Sequence, residues 1–479
     1  MKTDVKNFFI GGGLLSVVNI SHKAVNFILL PIFTFYLTPH EFGLMGVYFL
    51  VVAVLSMIYN PGVISATTRL FYDNVKTSKT NKSLVASAMG FLIMFPLLGL
   101  LFSVFFGKHI FSFFFKDVDF WPFGLLAVLS ASMHQATRLW TSYFVILNKV
   151  KVITFWSLVQ LLLNVVFSLL FVITLELGAL GRIFGLLVGN SLLFVLACYY
   201  VFRNVGFSFS LDKMMEILRT GFPLILGVFG YVILDVSDRY MITEMMSLEY
   251  LGTYDISYTI ASIPLFIVVG FNQVWQPHFY ENMIAKNYAL INTIFTYIII
   301  GFAFISTVII TFTSEIFHMF LESSFHGGMF IVPWIVLGVF FLGLSNFLSS
   351  ILMVDKKFRT TGLVSMGIAI INVCINFFLI PIFGIQGAAL ATLLSYFIHC
   401  VALLYLTRHV VYELFNFKST LGIVIFLFLL TSGIYFLNLS VPSFDVRMTT
   451  IKVLASVVLL TSIIRLCFYG KYKSLNEKA

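Results

Sequence analysis

A chain of 479 residues with 60% hydrophobic residues, only 10% charged residues and a mean hydropathy of +1.02 is too apolar for a soluble globule and too poor in charge for a disordered chain. At about 20 apolar residues per span it has room for roughly a dozen membrane helices and little else. The net charge of +9 lies in short segments between apolar runs, so it reads as a topology signal and not as a nucleic-acid footprint.

The N-terminus reads MKTDVKNFF and then runs apolar to Leu37. That run is too long for a signal-peptide core and no A-x-A-like site follows, so an uncleaved first span is expected over about 10–37. On it Ser16, Asn19, Lys23 and Asn26 recur at spacings of three and four, which places them on one helix face with His22 beside them. Spans two and three are expected at about 41–60 and 84–106. The polar gap between them holds Arg69, Tyr72 and Asp73 after Asn60-Pro61-Gly62. Arg69 is placed to meet an anionic substrate at the inner mouth, although topology alone also accounts for it. Span four, about 121–147, carries Ser130, His134, Arg138 and Thr141 at helical spacing, with Gln135 nearby. Spans five and six are expected at about 152–174 and 181–202, with Gln160 and Asn164 on the fifth. A second polar gap, 203–219, precedes span seven at about 220–244, which carries Asp235, Asp238 and Arg239. Span eight, about 250–275, opens with Asp255 and ends in Asn272, Gln273 and Gln276. Six more follow at about 290–314, 329–352, 361–381, 385–407, 420–438 and 448–468, with Asn372 and Asn376 on the eleventh. The four cysteines lie scattered in apolar runs and read as packing residues. No G-x-x-x-x-G-K-[ST], H-E-x-x-H or C-x-x-C is present, so neither a nucleotide motor nor a cofactor is expected.

With a cytoplasmic N-terminus, twenty of the 29 lysines and arginines fall in inside segments; Lys108, Lys116, Arg182, Arg447 and Lys452 count as outside, the last and Arg182 at the outer edges of their spans, and Lys23, Arg138, Arg239 and Arg465 lie within spans. This bias predicts cytoplasmic termini. The chain also repeats. Thr38-Pro39-His40-Glu41-Phe42-Gly43 returns as Ser247-Leu248-Glu249-Tyr250-Leu251-Gly252, 209 residues on. Gly178-Ala179-Leu180-Gly181 returns as Gly384-Ile385-Gln386-Gly387, 206 residues on. Lys149 and Lys151 precede span five as Lys356 and Lys357 precede span eleven. An offset of six spans keeps both halves in one orientation, so they are parallel repeats. The expected fold is an all-α polytopic membrane protein of about 14 transmembrane helices. Two six-helix lobes surround a central cavity, and two C-terminal helices stand outside the repeat. The expected divisions are an N-terminal lobe 1–202, a C-terminal lobe 203–407, and 408–479 with the last two spans and a cytoplasmic tail.

A basic group at mid-membrane costs on the order of 2.5–3.5 kcal/mol on insertion scales, so it faces protein or water. Lys23 and Arg138 have no acid on their own helix and read as cavity residues. The Asn, Gln and Ser residues read better as hydrogen-bonding glue between helices. Asp235 and Arg239, one turn apart, fit either a switchable ion-coupling cluster or a fixed pair.

The opening GGGLLSVVNISHKAVNFILLPIFTFYLTPHEFGLMGVYFL resembles the polysaccharide transporter family that includes O-antigen flippases. The L-[ST]-x-x-[EQ]-[FY]-G turn of that family is matched by Leu37 to Gly43. Gly252-Thr253-Tyr254-Asp255-Ile256-Ser257-Tyr258 and Phe383-Gly384-Ile385-Gln386-Gly387-Ala388-Ala389 also look like it. The resemblance covers essentially the whole chain. It implies the fold of the multidrug/oligosaccharidyl-lipid/polysaccharide flippase superfamily and, as substrate, a polyprenyl-diphosphate-linked oligosaccharide moved to the outer leaflet by alternating access. It implies no catalytic signature and hence no enzyme. The expected site comprises Lys23, Arg138, His134, Asn19, Asn26 and Arg69 for substrate, with Asp235, Asp238, Arg239 and Asp255 for ion coupling. The expected partners are the lipid-linked oligosaccharide, membrane lipid, a coupling proton or sodium ion and polysaccharide polymerase machinery, in a bacterial inner membrane. A cation-coupled multidrug exporter of the same fold is the alternative that Asp235, Asp238 and Asp255 keep open. A membrane polymerase or ligase is disfavoured by the short outer loops.

Overall fold

Every regular element among the described residues is a helix, as an apolar chain in lipid requires: with no water to bond the backbone, each span must satisfy its own N–H and C=O groups. The computed structural model describes residues 21–73, 78–147, 149–206, 209–222, 225–414 and 417–440, with 18, 449–450, 452–454, 456–457 and 461 besides. In chain order the helices are α1 (Leu30–Tyr36), α2 (Pro39–Tyr59), α3 (Val63–Asp73), α4 (Ser78–Phe114), α5 (Leu125–Ile146) and α6 (Val150–Leu169). There follow α7 (Gly178–Val205), α8 (Leu211–Gly221), α9 (Ile225–Met245), α10 (Leu248–Ala261), α11 (Ile263–Ile284) and α12 (Tyr288–Thr311). The last are α13 (Thr313–Phe320), α14 (Val332–Val354), α15 (Phe358–Phe383), α16 (Ile385–Leu414) and α17 (Phe417–Ser440). Nine helices among the described residues are long and apolar enough to cross a bilayer. The two polar gaps are not plain loops: α3 and α8 form within them and pack on each other.

The described residues group into two compact units. One takes in Tyr36–Gly252 and Ser365–Ala369; the other takes in Lys23–Phe35, Thr253–Val364 and the described residues from Ile370 onward. In the first, α5 is packed by α2, α4 and α7. Its buried Leu139, Trp140 and Phe144 meet Leu84, Met89 and Leu92 of α4 and Ala197 and Val201 of α7. In the second, α14 is the central helix, buried along most of its length against α16. Lipid tails are as apolar as leucine, so burial alone does not bring these helices together; close contact and shared hydrogen bonds do. Gly181, Gly185 and Gly189, one turn apart on α7, let α6 and the residues just after it approach until Phe171, Ser168 and Asn164 in turn occupy the space where a Cβ would stand. Gln160 bonds Asn190 at 2.6 Å across the same pair, and Asn372 bonds Ser395 at 3.1 Å between α15 and α16.

The sequence motif from Leu37 to Gly43 resolves into separate mechanical duties. Thr38 caps α2: its hydroxyl accepts from the Glu41 N–H, and Glu41 Oε2 accepts from the Thr38 N–H at 2.8 Å. The other Glu41 oxygen accepts from the Ala179 N–H at 3.3 Å, so one carboxylate caps α2 and the start of α7 together. Gly43 is small because the Leu248 carbonyl lies where its Cβ would be. Reciprocally, the Pro39 carbonyl lies where a Gly252 Cβ would be. An offset of 209 carries Pro39 to Leu248 and Gly43 to Gly252, so each contact is the repeat image of the other. His40 and Glu249 are likewise images of one another, and His40 Nδ1 meets Glu249 Oε1 at 3.1 Å. The two repeated turns therefore meet face to face, as two copies do across a two-fold axis. The other matches hold in backbone detail. Gly178 and Gly384 take left-handed φ of +56° and +60°. Lys149 and Lys357 each donate an N–H to the carbonyl five residues back, on Phe144 and Leu352.

Candidate functional site

α5 has the length of a span, 22 residues, but is not among the nine apolar enough to qualify. The residues responsible share one side. His134 and Arg138, one turn apart, are exposed, whereas Gln135, Ala136, Leu139 and Trp140 around them are buried. The exposed surface of α4 differs in kind: Met94, Leu97, Leu98, Leu101 and Phe105 are typical of it, as lipid contact requires. An open side bearing a guanidinium and an imidazole is not a lipid surface.

The cytoplasmic-side prediction for Arg69 gains a specific setting. Thr68 of α3 bonds Ser142 of α5 at 2.9 Å, and Ser142 continues the His134–Arg138 face by one turn. Arg69 is the next residue on α3 and is exposed, 3.8 Å from Asp73. Arg69 on the one hand and His134 and Arg138 on the other thus lie on two helices of the first unit that touch at Thr68 and Ser142. Lys23 and Asn26 belong to the second unit and are both exposed. Asn19 lies outside the described residues. The hydrogen bond of Lys149 and that of Lys357 set the register between α5 and α14 at 208 residues, which takes His134 to Leu342 and Arg138 to Asn346. Both are half-buried on the least covered side of α14, and neither is charged. The fold therefore leaves this side open in both units but does not itself call for charge there.

The acidic cluster on α9 forms as its spacing predicts. Arg239 Nη1 lies 3.4 Å from Asp235 Oδ1 and also meets the Asp235 carbonyl oxygen. Asp238 is 2% exposed, and its carboxylate accepts from the Arg239 backbone N–H at 3.0 Å. Asp255 lies on α10 in the second unit, half-buried.

Two buried charges were not legible in advance. Lys452, counted by sequence as an outer-loop residue, is 7% exposed and lies 3.4 Å from Glu315 Oε1, with Asn438 Oδ1 at 3.2 Å. Thr449 donates to the same Glu315 oxygen at 2.6 Å. This group ties Thr449 and Lys452 to α13 and α17 within the second unit. A separation of 137 residues hides the pair from any local pattern. Arg182, also counted as outside, is buried in the second turn of α7.

The chain is similar over its length to solved transporters. A lipid II flippase, MurJ, in an inward closed conformation superposes with a TM-score of 0.73 at 15% identity, covering 97% of this chain and 99% of that one. An inward-facing multidrug resistance transporter of the MATE family, in the MOP superfamily, gives 0.68 at 11% identity, over 82% of this chain and 97% of that one. A MOP superfamily transporter from Pyrococcus furiosus, described by a reversed polarity of its binding pocket, gives 0.60 at 11% identity, over 84% and 94%. At these identities the likeness establishes the fold, a multi-pass all-α transporter fold. No curated protein matches the sequence. Residues 9–283 match the family described as polysaccharide biosynthesis protein, more than half of the chain, and the chain belongs to that family.

Proposed function

We propose that the protein is a flippase that moves a polyprenyl-diphosphate-linked oligosaccharide from the inner to the outer leaflet by alternating access. The observation that supports this best is the polar open side of α5, where the Arg138 guanidinium and the His134 imidazole stand in place of the apolar residues seen on lipid-facing helices. A diphosphate is multiply anionic and does not cross bare hydrocarbon; fixed basic groups beside water lower that barrier. Arg138, His134 and Arg69 of the first unit, with Lys23, Asn26 and Asn19, are the residues proposed to receive it. The lipid tail stays in the bilayer while the head group moves. A cation exporter is expected to line its cavity with acid, and α5 carries no acidic residue. The protein breaks and forms no bond in this scheme.

Transport needs a driving force, and the Asp235, Asp238, Arg239 and Asp255 carboxylates and guanidinium are proposed to supply it by exchanging a proton or sodium ion. Flux of lipid-linked oligosaccharide in proteoliposomes, with and without each gradient, tests both steps. Purified protein that moves no such lipid under any gradient overturns the flippase reading. For coupling, a double variant Asp235→Asn, Arg239→Gln is expected to fold, to lose most of its flux and to lose gradient dependence in what remains. Flux restored in that variant relative to either single change would make the pair structural only.

The proposed setting is a bacterial inner membrane with both termini cytoplasmic, and polysaccharide polymerase machinery as the downstream partner. Reporter fusions after Lys82, Lys286 and Lys478 are expected to give cytoplasmic signals. A fusion at Glu322, an exposed residue beside the buried Phe325, is expected to report the outside. A cytoplasmic signal at Glu322 breaks the orientation.

A further inference from the structure

α8 has no part in the site above, yet its surface is divided three ways. Met214, Ile217 and Gly221 are buried against α3 and α4. The approach is close at its end: a side chain on Gly221 would overlap the backbone of Pro61 and Gly62, and one on Gly62 would overlap that of Gly221. At about 100° per residue, Leu211, Met215 and Phe222 fall on a second side, roughly a quarter turn away. They are 75%, 52% and 72% exposed. Asp212, Glu216 and Arg219 fall on the third side.

A helix with one protein face, one bare apolar face and one charged face fits an edge where protein, lipid and water meet. The chain around it fixes the depth. The outward stripe of α7 carries Phe184, Val195 and Tyr199 and then ends in Arg203. The Arg203 guanidinium donates to the Tyr199 hydroxyl at 2.6 Å, 5.7 Å from the ring centroid. An aromatic residue and a snorkelling arginine at the end of a span mark the boundary between acyl chains and water. Only a short link separates Arg203 from Leu211, and within it Phe209 is a further 48% exposed. The apolar stripe of α8 thus follows the outward stripe of α7 along the chain, with the exposed Phe209 just before it. We infer that α8 lies along the bilayer surface, with Leu211, Met215 and Phe222 sunk among lipid acyl chains and Asp212, Glu216 and Arg219 in water. The occupant of the stripe is lipid. The orientation proposed above makes this the cytoplasmic leaflet; a reversed orientation changes the leaflet and not the depth, so the two readings fail separately.

The test uses full-length protein, its own four cysteines replaced, in liposomes of phosphatidylethanolamine and phosphatidylglycerol. Single variants Leu211→Cys, Met215→Cys and Phe222→Cys are compared with Asp212→Cys, Glu216→Cys and Arg219→Cys, each labelled with an environment-sensitive fluorophore. All six positions except Glu216 are exposed and Glu216 is half-buried at the surface, so the labels leave the core intact. The first three are expected to emit at shorter wavelength and to be quenched by brominated acyl chains. The second three are expected to be quenched by aqueous iodide. Iodide quenching at all six would place the stripe in water and overturn the inference. Quenching of the stripe by neither agent would show a protein covering it and overturn the inference equally.

Discussion

Surface polysaccharide is expected to disappear when Lys23 and Arg138 are both replaced by Glu, with protein level in the membrane unchanged. A cation about 4 Å from a phosphate is worth on the order of 4 kcal/mol at an effective dielectric constant of about 20. Charge reversal removes that attraction and adds repulsion of similar size. Since each 1.4 kcal/mol is tenfold, even a heavily screened interaction predicts a loss of about tenfold for Arg138→Ala and of about a hundredfold or more for the double reversal. Folding is not expected to suffer, because Lys23 and Arg138 are both exposed and Asn346, the α14 equivalent of Arg138, carries no charge. The readout is surface polysaccharide together with the amount of lipid-linked precursor retained in the cell. Normal polysaccharide in a stably expressed Lys23→Glu, Arg138→Glu variant would reduce both residues to packing.

Locking the two repeated turns together is expected to stop transport almost completely. The paired backbone approaches at Gly43 with Leu248 and at Gly252 with Pro39 leave no room for a side chain, so the contact is either made in full or broken. In an alternating-access cycle a contact related by the repeat axis is the natural place for the halves to part. Cysteines at His40 and Glu249, joined by a short bis-thiol crosslinker, hold it made. Flux is expected to fall to background on crosslinking and to return on reduction of a cleavable linker. Undiminished flux in fully crosslinked protein would show that this seam stays shut throughout the cycle. The Ser247 hydroxyl, with Glu249's own backbone and His40, holds the Glu249 carboxyl below its usual range. A carboxylate with a lowered pKa stabilises above its unfolded value and loses that contribution only as pH falls through the lowered one. The carboxylate's contribution to the seam is therefore expected to hold through the physiological range and to be lost only in acid.

Composition alone determined that the chain is a helical membrane protein, because lipid forces each span to satisfy its own backbone and to present apolar side chains over about 20 residues. The six-span repeat was also legible, since turns rely on local residues such as Gly178 and Gly384 whose left-handed backbone leaves a trace in sequence. So was the pairing of Asp235 with Arg239, which needs only one helical turn. Contacts between distant segments were not. The second duty of Glu41 depends on Ala179 arriving from 138 residues away, and the burial of Lys452 depends on Glu315. A lysine near a span end looks the same in sequence whether water or a carboxylate receives it. The helices α3 and α8 inside the polar gaps were not legible because they hold no long apolar run and are stabilised by packing against each other and α4. Most of all, sequence showed that His134 and Arg138 share a face but not which way it points. Only the packing of α2, α4 and α7 around the rest of α5 left that face open, because a helix exposes whatever side its neighbours do not cover.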